Sequence, residues 1–239
     1  MIIAITSDRR AESPPSNSKN IRPSRPEIFL SEHLIEKVRS CGAEVIVLPP
    51  GGGDKLIEWV FENCDGIIIS GGAFDIAPSH YGQEIVARID RLDADRTALE
   101  LDLARRAVAV DFPLLGVCGG MQVLAVACGG ALFQDISTQI EGALEHEQPT
   151  DPAKSWHEVK FSSTRWQRWF GADTIQVNST HHQSVQDCGE LDIVGRSSDG
   201  IIEAIEHPQK DFCVGVQWHP ELLGIEIFKA MIEAIGKKR

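Results

Sequence analysis

The sequence predicts an α/β protein: a doubly wound, mostly parallel sheet flanked by helices, with antiparallel strands added in its C-terminal half. Three observations predict it. In the first half, short continuous apolar runs (Ile2–Ile5, Val45–Leu48, Gly66–Ser70, Leu114–Val117) alternate with helix-compatible segments, the texture of strands buried on both faces. After Leu132 the pattern becomes a succession of short strands separated by turn signals, which suits antiparallel additions. Between the two, a cysteine framed by glycines ends one apolar run and opens a helix-compatible stretch, the layout of a strand-turn-helix elbow.

The bulk properties narrow the function. A chain of 239 residues with 42% hydrophobic residues has enough apolar mass for one large core, and a single domain spanning 1–239 is expected. A net charge of −12 with no basic cluster argues against nucleic acid. No apolar run nears the roughly 20 residues of a membrane span. The N-terminal Met1–Ile5 reads as a strand rather than a signal peptide. Six cysteines without a C-x-x-C pair suit reduced thiols, so a cytoplasmic location is expected.

Taken in order, Ile2–Ile5 is the first strand. Ser7–Arg25, with three prolines and no period, is a loop of the length that is usually functional or disordered. Ile28, Leu34, Ile35, Val38 and Cys41 fall on one helical face, stopped by Gly42. Val45–Leu48 is a second buried strand, closed by Pro49-Pro50 and three glycines; no Gly-Lys-Ser/Thr follows, so this is no phosphate loop. Leu56–Phe61 fits a helix and Gly66–Ser70 a third strand. Asp90–Asp111 reads as a helix with Ala98, Leu101, Ala104 and Val108 on its apolar face. Its Arg96–Glu100 pair reads as an exposed i,i+4 ion pair worth only ~0.3–0.5 kcal/mol. Further on, Leu132–Ile140 is short strand and loop, and Gly142–Ser155 is polar. Trp156–Phe161, Thr174–Val177, Leu191–Ser197 and Ile201–Ile205 are short strands, and Trp166, Trp169 and Phe170 mark a short helix. Ile225, Phe228, Ile232 and Ile235 define a final amphipathic helix, whose negative end suits Lys237-Lys238-Arg239.

The chemistry concentrates in Pro113–Gly130, PLLGVCGGMQVLAVACGG. Cys118 stands at the turn, with Gly116 and Gly120 two positions to either side, where side chains would clash in a strained elbow. The positive end of the following helix favours a thiolate. A thiol nucleophile needs an imidazole to take and return its proton, and the imidazole needs a carboxylate to fix its tautomer. About a hundred residues downstream, Trp218-His219-Pro220-Glu221 follows another apolar run. Pro220 holds His219 away from helical geometry, so the side chains of His219 and Glu221 can leave a strand end together. Ser70-Gly71-Gly72 ends the third strand, where open α/β sheets place ligands and where glycine lets backbone N–H groups approach a reacting carbonyl.

With those residues in view, Gly116-Val117-Cys118-Gly119-Gly120-Met121-Gln122 and Gln217-Trp218-His219-Pro220-Glu221 resemble the class I glutamine amidotransferase superfamily. Asp65–Gly82, Val177–Val185 and Asp199–Pro208 make the chain most similar to its γ-glutamyl-γ-aminobutyrate hydrolase (peptidase C26) branch, from about Ile2 to Glu221. The resemblance implies the flavodoxin-like fold of that superfamily and a catalytic set of Cys118, His219 and Glu221. It implies an oxyanion hole from the N–H groups of Gly72 and Gly119, and substrate-binding roles for Gln122, His182 and Gln183. Of the adjacent His181 and His182, one is expected to be structural. Three positions depart from the pattern: Ala73-Phe74 where many relatives have proline, Thr97 where they often have aspartate, and Gly119 where the hydrolase branch frequently has arginine. No cofactor is expected, and no metal, because the histidine pair lacks a partner at ligand spacing. The implied partner is a small γ-glutamyl substrate, with no nucleic acid, no membrane, and room for a homodimer. The favoured function is cleavage of a γ-glutamyl amide, as in polyamine or amino-acid breakdown. A glutaminase subunit feeding ammonia to a separate synthetase, a non-catalytic ligand-binding relative, and γ-glutamyl transfer to another amine are the alternatives.

Overall fold

The computed structural model describes residues 1–10 and 27–238, so most of the expected Ser7–Arg25 loop lies outside the described residues. In chain order the elements begin β1 (Ile2–Thr6), β2 (Asp8–Arg10), β3 (Glu27–Phe29), α1 (Glu32–Ser40), β4 (Glu44–Leu48), α2 (Asp54–Asn63) and β5 (Gly66–Ile69). They continue with α3 (Ala94–Val110), β6 (Leu114–Val117), α4 (Gly119–Ala127), β7 (Ala131–Phe133), α5 (Ile136–Gln139), β8 (His157–Phe161) and α6 (Thr164–Phe170). The chain closes with β9 (Thr174–Val177), β10 (Ser184–Asp187), β11 (Asp192–Ser197), β12 (Ile202–Glu206), β13 (Cys213–Val216) and α7 (Glu226–Lys238).

One sheet carries the molecule, in the order β4-β1-β5-β6-β13-β12-β11-β8-β9, with β10 pairing to β12 and β7. From β4 to β13 neighbouring strands run parallel; from β13 onward they run antiparallel. The expected fold class is therefore observed. The period-2 alternation of the strands sorts their side chains into two cores. Ala4, Ile67, Ile69 and Leu114 face α2, α3 and α4, packing with Ile57, Leu103, Ala104 and Val123. Ile3, Ile5, Ile68, Leu115 and Val117 face α1, α6 and α7, packing with Leu34, Trp166, Phe228 and Met231. Covered on both faces, β5 and β6 are buried throughout, which is why they read as unbroken apolar runs. Among the described residues no helix is long and apolar enough to cross a membrane, and the six cysteines are free thiols.

Several expectations need correction. Ile28 lies in β3, which pairs with β2 in a separate two-stranded sheet, and the helix begins only at Glu32. Val45–Leu48 is only partly buried: β4 is an edge strand in which Leu48 reaches the core but Ile46 and Val47 are 38% and 43% exposed. Helix α3 starts at Ala94 rather than Asp90, because the Asp93 carboxylate accepts from the Arg96 N–H at 3.1 Å and caps it. Of the expected apolar face Ala98 is exposed, Leu101 and Ala104 are buried and Val108 is half-buried; the buried side of the helix also carries Arg96, Glu100, Leu103 and Ala107. Leu132–Ile140 includes a short helix, α5, capped by Asp135. Strand β10 was not expected at all, since Ser184-Val185-Gln186-Asp187 has too little apolar content to stand out.

The β6–α4 turn is closely packed. A Cβ on Gly120 would drive into the Ile69 carbonyl oxygen of β5, and one on Gly116 into the Gly120 carbonyl. Gly120→Ala is therefore expected to destabilise the protein by about 1–3 kcal/mol through overpacking. Urea unfolding reads this directly, and an unchanged midpoint would contradict the packing described.

Candidate active site

Cys118 has φ 52° and ψ −109°, a positive φ at a non-glycine residue. The turn is held in place from both directions. The Cys118 N–H donates to the Val216 carbonyl at 2.8 Å, while its own carbonyl accepts from the Met121 and Gln122 N–H groups of α4. Because β6 and β13 are adjacent and parallel with Val117 opposite Val216, the chain leaving β13 emerges beside Cys118. Gln217, the first residue out, donates from Nε2 to the Cys118 sulfur at 3.7 Å.

His219 follows two residues later. Its Nδ1 bonds the Glu221 Oε1 at 2.8 Å, and a carboxylate only accepts, so Nδ1 carries the proton and Nε2 is left for Cys118. The backbone of His219 is clamped by Asn178, whose Oδ1 accepts from the His219 N–H at 2.8 Å and whose Nδ2 donates to its carbonyl at 3.2 Å. Burial opposes a charged imidazole here, but the Cys118 sulfur, through charge and a hydrogen bond, and the Glu221 carboxylate outweigh it. His219 titrates well above the ordinary histidine range. Gly71 fits between the two: a Cβ there would stand 2.9 Å from His219 Cε1 and 3.1 Å from Cys118 Cβ. The structure thus brings Cys118, His219 and Glu221 together, and it gives supporting roles to Gly71, Asn178 and Gln217, which stand in marked stretches of the sequence but had no role assigned.

A cavity of about 180 Å³ opens beside the thiol. Its lining includes Gly72, Gly119, Gln122, His182 and Gln183, every other residue expected at the site. Gln122 is a strut: its Nε2 donates to the Gln183 carbonyl at 3.1 Å and to Gln217 Oε1 at 3.3 Å. Gln183 Nε2 donates to the Gln134 carbonyl, while its Oε1 is buried without a hydrogen-bond partner among the described residues. The two histidines diverge. His182 faces the cavity and bonds Asp75 at 3.0 Å; burial would lower it, but Asp75 holds it above its ordinary range. His181 turns inward, where burial pushes it down to about 4. A larger cleft of about 460 Å³ over β8 and β11 is lined by neither cysteine nor histidine.

Arg96 departs most from expectation. Far from an exposed ion pair, it is fully buried. Its Nε donates to Glu100 at 2.8 Å and its Nη1 pairs with Asp8 at 3.1 Å. Its Nη2 donates to the carbonyls of Ser70 and Gly71 at 2.8 and 3.0 Å, and its guanidinium lies 3.9 Å from the Phe74 ring centre. Asp8 completes the brace by accepting from the Ala73 N–H at 3.1 Å. Arg96 therefore fixes the glycine loop that Gly71 and Gly72 occupy. The signal available in the sequence was periodicity, since Arg96 and Glu100 share a helical face with Leu103 and Ala107. At Gly72 a Cβ would collide with Arg96 and Asp8, whereas at Gly119 it would meet nothing closer than 3.7 Å. Gly119 is thus free to vary sterically.

The fold and this cleft define a class I glutamine amidotransferase-like protein. The chain matches the glutaminase domain of Trypanosoma brucei CTPS, solved with bound acivicin, with a TM-score of 0.65 at 15% identity over 100% of this chain and 94% of that one. Within that superfamily it belongs to the Peptidase C26 family, whose model matches residues 1–221. It is 34% identical over 197 residues to Protein NtpR of Enterococcus hirae, covering 81% of this chain and 82% of that protein. It is 31% identical over 203 residues to the gamma-glutamyl-gamma-aminobutyrate hydrolase PuuD of Escherichia coli strain K12, covering 80% and 78%.

Two outcomes follow from the geometry. Arg96→Gln strands Glu100 as a buried charge, while Asp8 keeps its ion pair with Arg91, and should cost about 3–5 kcal/mol in urea unfolding; a loss below about 1 kcal/mol would mean the brace is dispensable. Glu221→Gln should lower the His219 titration. A raised histidine contributes stability that is fully present below its unfolded value of about 6.5 and is lost as pH rises through the folded value. The stability gap between wild type and Glu221→Gln should therefore shrink on going alkaline, and a gap that grows with pH would contradict the assignment.

Proposed function

We infer that the protein is a cysteine hydrolase that cleaves the amide bond of a small γ-glutamyl compound, such as γ-glutamyl-γ-aminobutyrate, into glutamate and an amine. The observation that carries this reading is the positive-φ Cys118 at a helix N-terminus, beside an imidazole whose Nδ1 is fixed by Glu221. Membership of a family with a γ-glutamyl-γ-aminobutyrate hydrolase among its relatives supports the substrate class.

In this reading the Cys118 sulfur attacks the γ-carbonyl with the proton already held on His219 Nε2, the ring whose titration lies well above the ordinary range. The oxyanion is received by the N–H groups of Gly72 and Gly119, both of which line the cavity beside the thiol. Collapse of the tetrahedral species breaks the C–N bond, and His219 returns the proton to the departing amine. Water, deprotonated by His219, then attacks the thioester; glutamate leaves and the thiol is restored. Glu221 holds the ring orientation throughout. His182, Gln183 and Gln122 shape the glutamyl end of the cleft. No cofactor enters the scheme.

Glutamate release from γ-glutamyl-γ-aminobutyrate and, separately, from glutamine tests the reading. The first should be cleaved by the protein alone and far faster than the second, and Cys118→Ala should reduce kcat by about 10⁴-fold or more. Gly71→Ala, by pushing the thiol and imidazole apart, should cost about 10²-fold in kcat. Near-normal turnover by Cys118→Ala would overturn the mechanism. Glutamine cleavage that appears only with an added synthetase would replace the hydrolase with an ammonia-delivering subunit.

A further inference from the structure

Behind His182 the interior holds a second cluster that the proposed chemistry does not use. Glu203 of β12 is fully buried, and neither of its carboxylate oxygens has a hydrogen-bond partner among the described residues. Three imidazole nitrogens converge on its Oε1: His146 Nδ1 at 3.5 Å, His157 Nε2 at 3.5 Å and His181 Nε2 at 3.7 Å. The opposite nitrogen of each ring already faces an acceptor. His146 Nε2 bonds Asp199 Oδ2 at 3.0 Å, His157 Nδ1 the Glu158 carbonyl at 3.2 Å, and His181 Nδ1 the Gln183 carbonyl at 2.9 Å.

A carboxylate and two carbonyls can only accept, so those outer nitrogens carry the protons and the three inner ones present lone pairs. Ser179 Oγ lies 3.2 Å from His146 Nδ1 and 3.1 Å from His181 Nε2. It cannot supply the missing hydrogen to both, because its hydroxyl donates to the His146 carbonyl at 2.8 Å. Three lone pairs aimed at a buried carboxylate repel it unless a proton or a metal cation stands among them. One proton on Glu203 would satisfy a single acceptor of the three; a divalent metal takes all four donors.

We propose that His146, His157, His181 and Glu203 form a structural zinc site. Three imidazoles and one carboxylate are a donor set that suits tetrahedral zinc. Metal–ligand bonds of about 2.0–2.2 Å place tetrahedral donors about 3.3–3.6 Å apart, close to the separations from Glu203. The donor atoms of His146, His181 and Glu203 all lie within 4.8 Å of one another; His157, 3.5 Å from Glu203 but outside that mutual limit, completes the set by moving in toward the other two. Each ring has the outer partner that orients metal-binding histidines. A cavity of about 260 Å³ bordered by His146 and His181 provides the way in from solvent. The ligands come from four separate segments, so no local spacing marks the site in the sequence. Bound zinc would tie those segments together behind the cleft. Glu203 also accepts the Gln217 N–H through its backbone carbonyl at 2.8 Å, and Ser179 adjoins Asn178, the clamp on His219.

The test is metal content and cobalt spectroscopy on the untagged full chain carrying Cys118→Ala, which removes the active-site thiol as a competing ligand. After chelation and reloading, one zinc per chain is expected by elemental analysis. Cobalt should give the intense visible absorption of a tetrahedral site, without the near-ultraviolet charge-transfer band of thiolate ligation. Glu203→Gln and His146→Asn should each weaken zinc binding more than about tenfold. Absence of bound zinc and cobalt in the parent protein would overturn the proposal. So would a thiolate or six-coordinate cobalt spectrum, or zinc binding unchanged in both variants. If the variants fail to fold, the parent's stoichiometry and cobalt spectrum still decide.

Discussion

The structure depends on one backbone constraint: the turn from β6 into α4 must close tightly enough to hold Cys118 at a positive φ. A non-glycine residue there costs of order 1–3 kcal/mol, and it persists because its surroundings leave no alternative. Gly116 and Gly120 let the turn fold against itself and against the Ile69 carbonyl. The Val216 carbonyl holds Cys118 N–H from the neighbouring strand. The thiol therefore projects from the carboxyl edge of the sheet, at the first turn of a helix, where both strand order and helix dipole favour a reactive anion.

Everything else at the cleft is placed relative to that turn. From the parallel half of the sheet, β5 delivers the glycine loop, which Arg96 holds by its carbonyls while Asp8 and Glu100 balance the buried guanidinium. From β13, where the sheet changes from parallel to antiparallel, come Gln217 and His219. The antiparallel half supplies Asn178, His182 and Gln183 through the segments on either side of the His-His pair. Two buried polar systems thus lie beside the cleft, and each is high in stakes because a half-satisfied member in low dielectric is costly.

Much of this was legible in the sequence wherever the determinants are local. The alternation of apolar runs and helical periods announced the parallel half; the Gly-x-Cys-x-Gly motif carried the thiol, and His-Pro-Glu, about a hundred residues on, carried the imidazole and carboxylate two positions apart. What could not be read depends on distant partners. Arg96 looks like a solvated ion pair until Asp8 and the glycine loop surround it. Strand β10 forms because β7 and β12 offer edges, not because Ser184–Asp187 is apolar. Ile28 joins a hairpin with β2 instead of extending α1. Asp93 ends an extended segment that a periodic reading runs straight through. The convergence of His146, His157 and His181 on Glu203 is created by the antiparallel half of the sheet and has no footprint in spacing.

The central claim is that the strained turn makes Cys118, alone among six thiols, the nucleophile. Covalent labelling with an electrophilic glutamine mimic, followed by intact-mass measurement and peptide mapping, tests it most directly. The account predicts a single adduct per chain, on Cys118, with the reaction suppressed in His219→Ala. Labelling of another cysteine at a comparable rate, or no labelling of Cys118 in folded protein, would contradict it.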